Sequence, residues 1–297
     1  MKILNFGSLN YDYVYSVSHI VNPGETISSS KMEMFCGGKG LNQSIALARA
    51  GTKVFHAGMV GKDGEALINI CEENGVDISN ICESEGKSGH TIIQVDEKGQ
   101  NSILLFGGSN RSMTKKFIDN VLSCFEKGDI LLLQNEINLI DYIIEESYKK
   151  GMKVFLNPSP FDLALKQCDL SKISVFLLNE IEGEQITGEK EQNKILNKML
   201  IKYPNAQVVL TLGSGGVIYK DNQQEYYQKA YKVNVVDTTG AGDTFTGYFI
   251  SSLINNATIN KALNISSKAA AISVSREGAT TSIPFIQEVV EAKFKDK

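Results

Sequence analysis

The sequence predicts an α/β protein: a central, mostly parallel sheet with helices on both faces, plus a small β-sheet lid. Three observations predict it. Apolar runs of strand length alternate with amphipathic stretches of helix length along the 297 residues. The strand-length runs are apolar throughout, as strands buried on both faces of a parallel sheet must be. Two early stretches instead alternate polar and apolar residues, the pattern of strands covered on one face.

Taken in order, the apolar runs predict strands at residues 3–9, 53–60, 129–134, 154–157, 175–178 and 208–212. Between them, amphipathic stretches predict helices at 42–50, 65–73, 140–149 and 191–203. From Ala241 onward the pattern is mostly helical, through 248–253 and 259–274. The alternating segments are 11–17 with 28–35, and 89–96 with 102–106. The second pair is joined by Glu97-Lys98-Gly99-Gln100 and reads as a hairpin. Antiparallel strands of this kind inside an α/β chain predict an accessory sheet. The expected division is a main domain of residues 1–9, 37–87 and 109–297, with a lid of residues 10–36 and 88–108.

Composition narrows the function. Apolar residues make up 42% and charged residues 22% of the chain, enough for a sizeable core and against disorder. Thirty basic residues nearly balance 34 acidic ones, which gives no footprint for nucleic-acid or membrane binding. The five cysteines include no C-x-x-C pair, and the three histidines lie far apart, so neither a zinc site nor a disulfide framework is expected. Free thiols suit a reducing cytoplasm, and the expected location is cytoplasmic. The opening MKILNFGSLN does not read as a signal peptide, and no apolar stretch is long enough to span a bilayer.

The sharpest chemical feature is Val235-Val236-Asp237-Thr238-Thr239-Gly240-Ala241-Gly242-Asp243-Thr244-Phe245. A β-prone run enters a glycine-rich turn that opens a helix. Amides at a helix N-terminus favour negative charge, and glycine lets a ligand come close. Asp243 stands in that first turn. It is either a carboxylate serving the helix dipole or a general base beside an anion hole, and the turn alone leaves both open. Two common phosphate motifs are excluded. Cys36-Gly37-Gly38-Lys39-Gly40 lacks the spaced glycine and the following Ser or Thr of a Walker A loop. Gly240-Ala241-Gly242 has Phe245 where the dinucleotide fingerprint needs its third glycine.

The whole chain resembles the ribokinase family of sugar kinases, of phosphofructokinase-B type. The N-terminal match is Gly37-Gly38-Lys39-Gly40-Leu41-Asn42-Gln43, preceded by Pro23-Gly24-Glu25-Thr26. The C-terminal match is Asp237-Thr238-Thr239-Gly240-Ala241-Gly242-Asp243-Thr244-Phe245. Asn179-Glu180-Ile181-Glu182 and Thr211-Leu212-Gly213-Ser214-Gly215-Gly216 fall between them in the family's order. The resemblance implies an ATP-dependent kinase in which Asp243 takes the proton of a sugar hydroxyl and the amides of Gly240, Ala241 and Gly242 form the anion hole. It implies sugar contacts from Asn10, Asp12, Gly38, Lys39, Asn42 and Glu136. It implies ATP contacts from Asn179, Thr211, Gly213, Gly216 and Gly242, and a Mg²⁺ ion ordered by Glu182 through water. It also implies a monovalent-cation loop, with K⁺ as activator, at Asp237, Thr239, Ser273, Arg276, Gly278 and Ser282.

Within the family, the joint presence of Asn10, Asp12, Gly38, Lys39, Asn42, Glu136 and Asp243 resembles the members that convert D-ribose to D-ribose 5-phosphate. The expected partners are a sugar and ATP, with a homodimer formed through the lid. Tyr11, where a smaller residue is common, and the lid end Phe106-Gly107-Gly108-Ser109-Asn110 are expected to reshape the pocket. Two rivals stay open: a kinase of the same family acting on another sugar or a nucleoside, and a sugar-binding regulatory protein without catalysis.

Overall fold

A computed structural model describes residues 1–294. In chain order the strands and helices begin with β1 (Ile3–Phe6), β2 (Asn10–Val17), β3 (Lys31–Gly37), α1 (Lys39–Arg49), β4 (Val54–Val60), α2 (Glu65–Glu73) and β5 (Asp77–Glu83). They continue with β6 (Gly89–Asp96), β7 (Asn101–Phe106), α3 (Lys115–Leu122), β8 (Ile130–Gln134), α4 (Ile140–Lys149), β9 (Lys153–Asn157) and α5 (Leu163–Gln167). The remainder is β10 (Ile173–Asn179), α6 (Glu180–Thr187), α7 (Gln192–Lys202), β11 (Gln207–Thr211), β12 (Val217–Lys220), β13 (Glu225–Gln228), α8 (Ala241–Ile254), α9 (Ile259–Ser273) and α10 (Ile286–Glu291).

Nine strands form one sheet in the order β13-β12-β11-β10-β9-β8-β1-β4-β5. Its pairings from β5 across to β11 are parallel, and β12 and β13 close one edge antiparallel. The buried runs explain the layering. Leu131 and Leu133 of β8 enter one apolar core, while Ile130 and Leu132 enter the other. Successive side chains of a strand point to opposite faces, so a continuous apolar run serves two cores at once.

Helices α1 and α8 pack closely beneath the second core. A Cβ on Gly247 of α8 would lie 2.4 Å from Ala46 Cβ of α1, so only glycine permits this approach. One turn back along each helix stand Asp243 and the pair Asn42 and Gln43. The helix crossing therefore sets the site.

The second sheet has the order β3-β2-β6-β7. The two expected pairs, β2 with β3 and β6 with β7, are antiparallel, and β2 runs parallel to β6 at the centre. The hairpin rule applies to strands adjacent in sequence, and 71 residues, β3 and the segment from α1 to β5 among them, lie between Val17 and Gly89. Strands β5 and β13 were not expected; both are partly exposed edge strands without an apolar run. Among the described residues no helix is long and apolar enough to cross a membrane, and all five cysteines are free.

Candidate active site

Asp243 sits in the first turn of α8, only 7% exposed. Its Oδ2 accepts from Asn42 Nδ2 at 3.0 Å and its Oδ1 from Gln43 Nε2 at 2.8 Å. The helix begins at Gly240, whose φ of 73° is left-handed and whose Cβ would press on Ala279 at 3.3 Å. Glycine is the residue that takes this conformation without strain. At Gly242, by contrast, a Cβ would meet nothing within 4 Å. That glycine is not required by packing and leaves open space beside the helix N-terminus, where orphan amides and the dipole favour an anion.

The residues expected to meet a sugar converge on the same region. Asn10 and Asp12 share one face of β2, and the turn entering α1 lies against them. A Cβ on Gly37 would fall 2.1 Å from Asp12 Oδ2, and one on Gly38 would fall 3.1 Å from Asn10 Nδ2. Thr91 Oγ1 donates to Asp12 Oδ1 at 2.5 Å. Burial pushes the Asp12 carboxyl above its ordinary value, and the Thr91 bond opposes this. Glu136, just past β8, accepts from Lys39 N at 3.0 Å and from Ser8 Oγ. Burial pushes Glu136 up as well, against the pull of Lys39. Burial also works against the charge on Lys39, but Asp243, Glu136 and Glu182 outweigh it and hold its ammonium above the ordinary lysine value. Asn10, Asp12, Gly38, Lys39, Asn42, Glu136 and Asp243 are thus brought together.

Tyr11 turns the other way. Its hydroxyl donates to Asp63 O at 2.6 Å and its ring is buried in the core, on the face of β2 opposite Asn10 and Asp12, against the expectation that it reshapes their pocket. Asn110 does act on the expected sugar residues: its Nδ2 donates to Asn10 Oδ1 at 2.7 Å.

On the neighbouring strands, Asn179 and Thr211 are register partners at the ends of β10 and β11. Asn179 and Glu182 form a reciprocal cap on α6: Asn179 Oδ1 accepts from Glu182 N and Glu182 Oε2 accepts from Asn179 N, both at 2.9 Å. This commits one oxygen of each side chain to the helix end. Gly213 and Gly216 shape the turn after β11. The C-terminal loop draws two further groups together. Asp237 accepts from Thr239 N, Thr239 Oγ1 and Gly278 N at 2.9, 2.7 and 3.0 Å. Ser273 and Ser282 hydroxyls are 2.8 Å apart. Arg276 leaves this loop and pairs with Glu288 at 2.5 Å. Among the described residues no three His, Cys, Asp or Glu side chains cluster as a metal site.

Sequence reading missed the buried amides behind the base. Gln43, Gln134, Asn5 and Asn157 form a hydrogen-bonded row, and Ser44 extends it to His56. Their signal, in retrospect, is polar residues inside otherwise apolar strands: Asn5 in Ile3–Phe6, His56 in Val54–Val60 and Gln134 at the end of Ile130–Gln134.

The geometry agrees with the comparisons to known proteins. The family model for pfkB family carbohydrate kinases matches residues 1–286, and the chain belongs to that family. It is accordingly a carbohydrate kinase. It is 34% identical over 294 residues to the ribokinase of Haemophilus influenzae, with 96% of each chain covered. The ribokinase of Thermotoga maritima superposes with a TM-score of 0.87 at 32% identity, covering 98% of both chains. The Arabidopsis thaliana ribokinase, solved with ribose and ATP, superposes with a TM-score of 0.86 at 26% identity, covering 98% of this chain and 97% of its own.

Proposed function

We propose that this chain transfers the γ-phosphoryl group of ATP to D-ribose, giving D-ribose 5-phosphate. The observation that carries the proposal is Asp243: a carboxylate held by two amide donors in the first turn of α8, beside the open space at Gly242 and the cluster around Asn10, Asp12 and Lys39. Asp243 accepts the proton of the attacking hydroxyl, and the amides of Gly240, Ala241 and Gly242 stabilise the transferring phosphoryl oxygens. Asn10, Asp12, Gly38, Lys39, Asn42 and Glu136 orient the sugar, since carboxylate and amide groups suit adjacent hydroxyls. Asn179, Thr211, Gly213, Gly216 and Gly242 serve ATP. Positioning and electrostatics carry the reaction, as phosphoryl transfer requires little covalent help from the protein.

Mg²⁺ suits Glu182. Its buried carboxylate has one oxygen in the α6 cap and one left over, and this ion retains waters and needs few protein ligands. When bound, Mg²⁺ neutralises charge on the ATP phosphates. A monovalent cation, K⁺, is assigned to the loop of Asp237, Thr239, Ser273, Arg276, Gly278 and Ser282 mainly through backbone oxygens, because the Arg276 side chain has no acceptor and the Asp237 oxygens already accept from Thr239 and Gly278. The sheet of β2, β3, β6 and β7 acts as the lid, with boundaries at residues 10–36 and 88–108. It also joins two copies into a homodimer. The enzyme is assigned to the cytoplasm.

The test is ADP release with Mg-ATP and D-ribose, against other sugars and nucleosides, with and without K⁺. Ribose-dependent release raised by K⁺ is expected. Release with a different acceptor moves the substrate and keeps the mechanism. No release with any acceptor favours a sugar-binding regulatory protein.

A further inference from the structure

Gln43 follows directly after an expected sugar ligand, yet it is fully buried and offers no surface to a ligand. Its amide makes three hydrogen bonds. Nε2 donates to Asp243 Oδ1 at 2.8 Å and to Asn157 Oδ1 at 3.0 Å, and Oε1 accepts from Gln134 Nε2 at 2.6 Å. An amide nitrogen carries two hydrogens, so both are used.

The direction of these bonds is set from both ends of the row. Asn157 Nδ2 donates to the Leu177 carbonyl at 2.9 Å, which turns Asn157 Oδ1 toward Gln43 as an acceptor. At the other end Gln134 Nε2 also donates to Asn5 Oδ1 at 3.0 Å, and Asn5 Nδ2 donates to the Gly40 carbonyl at 2.8 Å. A carbonyl oxygen only accepts. Flipping any amide in the row would set like groups against each other, which fixes the orientation of all four. Gln43 therefore presents N–H, never oxygen, to Asp243.

We infer that Gln43 is a positioning residue that holds Asp243 Oδ1 as a standing hydrogen-bond acceptor and leaves Oδ2 to receive the proton of the attacking hydroxyl. The inference rests on the kinase reading above and specifies its base at the level of the atom. In the step, the sugar O–H bond breaks and its proton passes to Oδ2. The sugar oxygen bonds the γ-phosphorus, and the bond from that phosphorus to the β,γ-bridging oxygen breaks, releasing ADP. A proton on Oδ1 would face the Gln43 N–H and leave a buried donor without its acceptor. Asn42, the partner of Oδ2, is itself an expected sugar ligand, so its donor is the one free to exchange when the sugar arrives.

Two variants test this. Gln43→Met removes the donor at similar length, and Gln43→Glu keeps the shape and replaces the donor with oxygen. Both are expected to lower kcat about 10²-fold, the scale of a misplaced reacting group, while the KM values for sugar and ATP stay within about threefold, the signature of an interaction lost in the transition state. Should Gln43→Met fail to fold, the isosteric Gln43→Glu decides. Unchanged kcat in a folded variant, or a raised sugar KM at wild-type kcat, overturns the inference and leaves the kinase reading standing. Wild-type protein that releases no ADP with any acceptor overturns both.

Discussion

Asp243 combines three properties that rarely meet in one side chain: burial, two amide donors and a place at the positive end of a helix. Together they suit a base that must be aimed. Asp243→Asn keeps the size and removes the proposed base. Its turnover should fall roughly 10²–10⁴-fold, with nucleotide affinity by calorimetry close to wild type. Near-normal turnover would reassign the base. His56 lies at the far end of the same polar row, completely buried, and burial pushes its pKa from 6.5 down to about 4. The folded state therefore binds fewer protons than the unfolded chain between these values. Stability is present in full above about pH 6.5 and is lost as pH falls toward 4, by about 3 kcal/mol for this group. Urea midpoints at pH 7 and pH 4.5 should fall further apart in wild type than in His56→Gln. Asp243 and Asn42 stood out as candidates because each sits in a contiguous motif, and the fold brings the two within hydrogen-bond distance. Gln43 lay in the same motif, but its partners stand 200 and 91 residues away, and an amide's role is decided by what it touches.

At the level of elements, α6 combines an observed cap with a proposed ligand role on one motif. Asn179 and Glu182 close the helix end as a reciprocal cap, and the family resemblance gives the same pair to phosphate and Mg²⁺. Substitution separates these roles. Glu182→Gln retains an oxygen for the Asn179 amide, so the cap survives while the charge is lost; Tm should stay near wild type while the KM for Mg-ATP rises. Asn179→Ala removes the cap and should cost about 1 kcal/mol of stability, read from denaturant midpoints. If Glu182→Gln leaves Mg-ATP kinetics untouched, the pair is a cap alone. The same logic explains which elements the sequence revealed. Strands buried on both faces, such as Ile130–Gln134, announce themselves by composition. The edge strands Asp77–Glu83 and Glu225–Gln228 do not, because one side of each faces solvent and their pairing is decided by a neighbour. Helix α1 begins at Lys39 rather than 42, since its start is set by the glycine turn and not by apolar spacing.

For the molecule as a whole, the lid leaves an unusual amount of apolar surface in water. Every residue of β7 is exposed. Register divides the sheet's residues between two faces. Asp12 stands with Phe35, Thr91 and Leu105 on the face of the site; Tyr13, Met34, Ile92 and Leu104 stand on the other. In the proposed reading, the first face closes over the sugar and excludes water. The second gains nothing from that closure, yet Leu104 is 68% and Met34 52% exposed. Contiguous apolar surface of this kind marks an association site, and a twofold dimer satisfies it with one self-complementary patch. The sequence showed the alternation of these strands but not this consequence, because polarity along a strand does not say which face the main domain covers. Sedimentation at micromolar concentration should therefore give twice the 32.5 kDa chain mass. Leu104→Glu should return the single-chain mass, since a carboxylate in a buried apolar contact carries a heavy desolvation cost. Because Leu104 lies on the face away from Asp12, the monomeric variant should keep its sugar site intact and bind the sugar as wild type does. A wild-type chain that sediments at the single mass would leave the apolar residues opposite Asp12 without a partner and remove the dimer from the proposal.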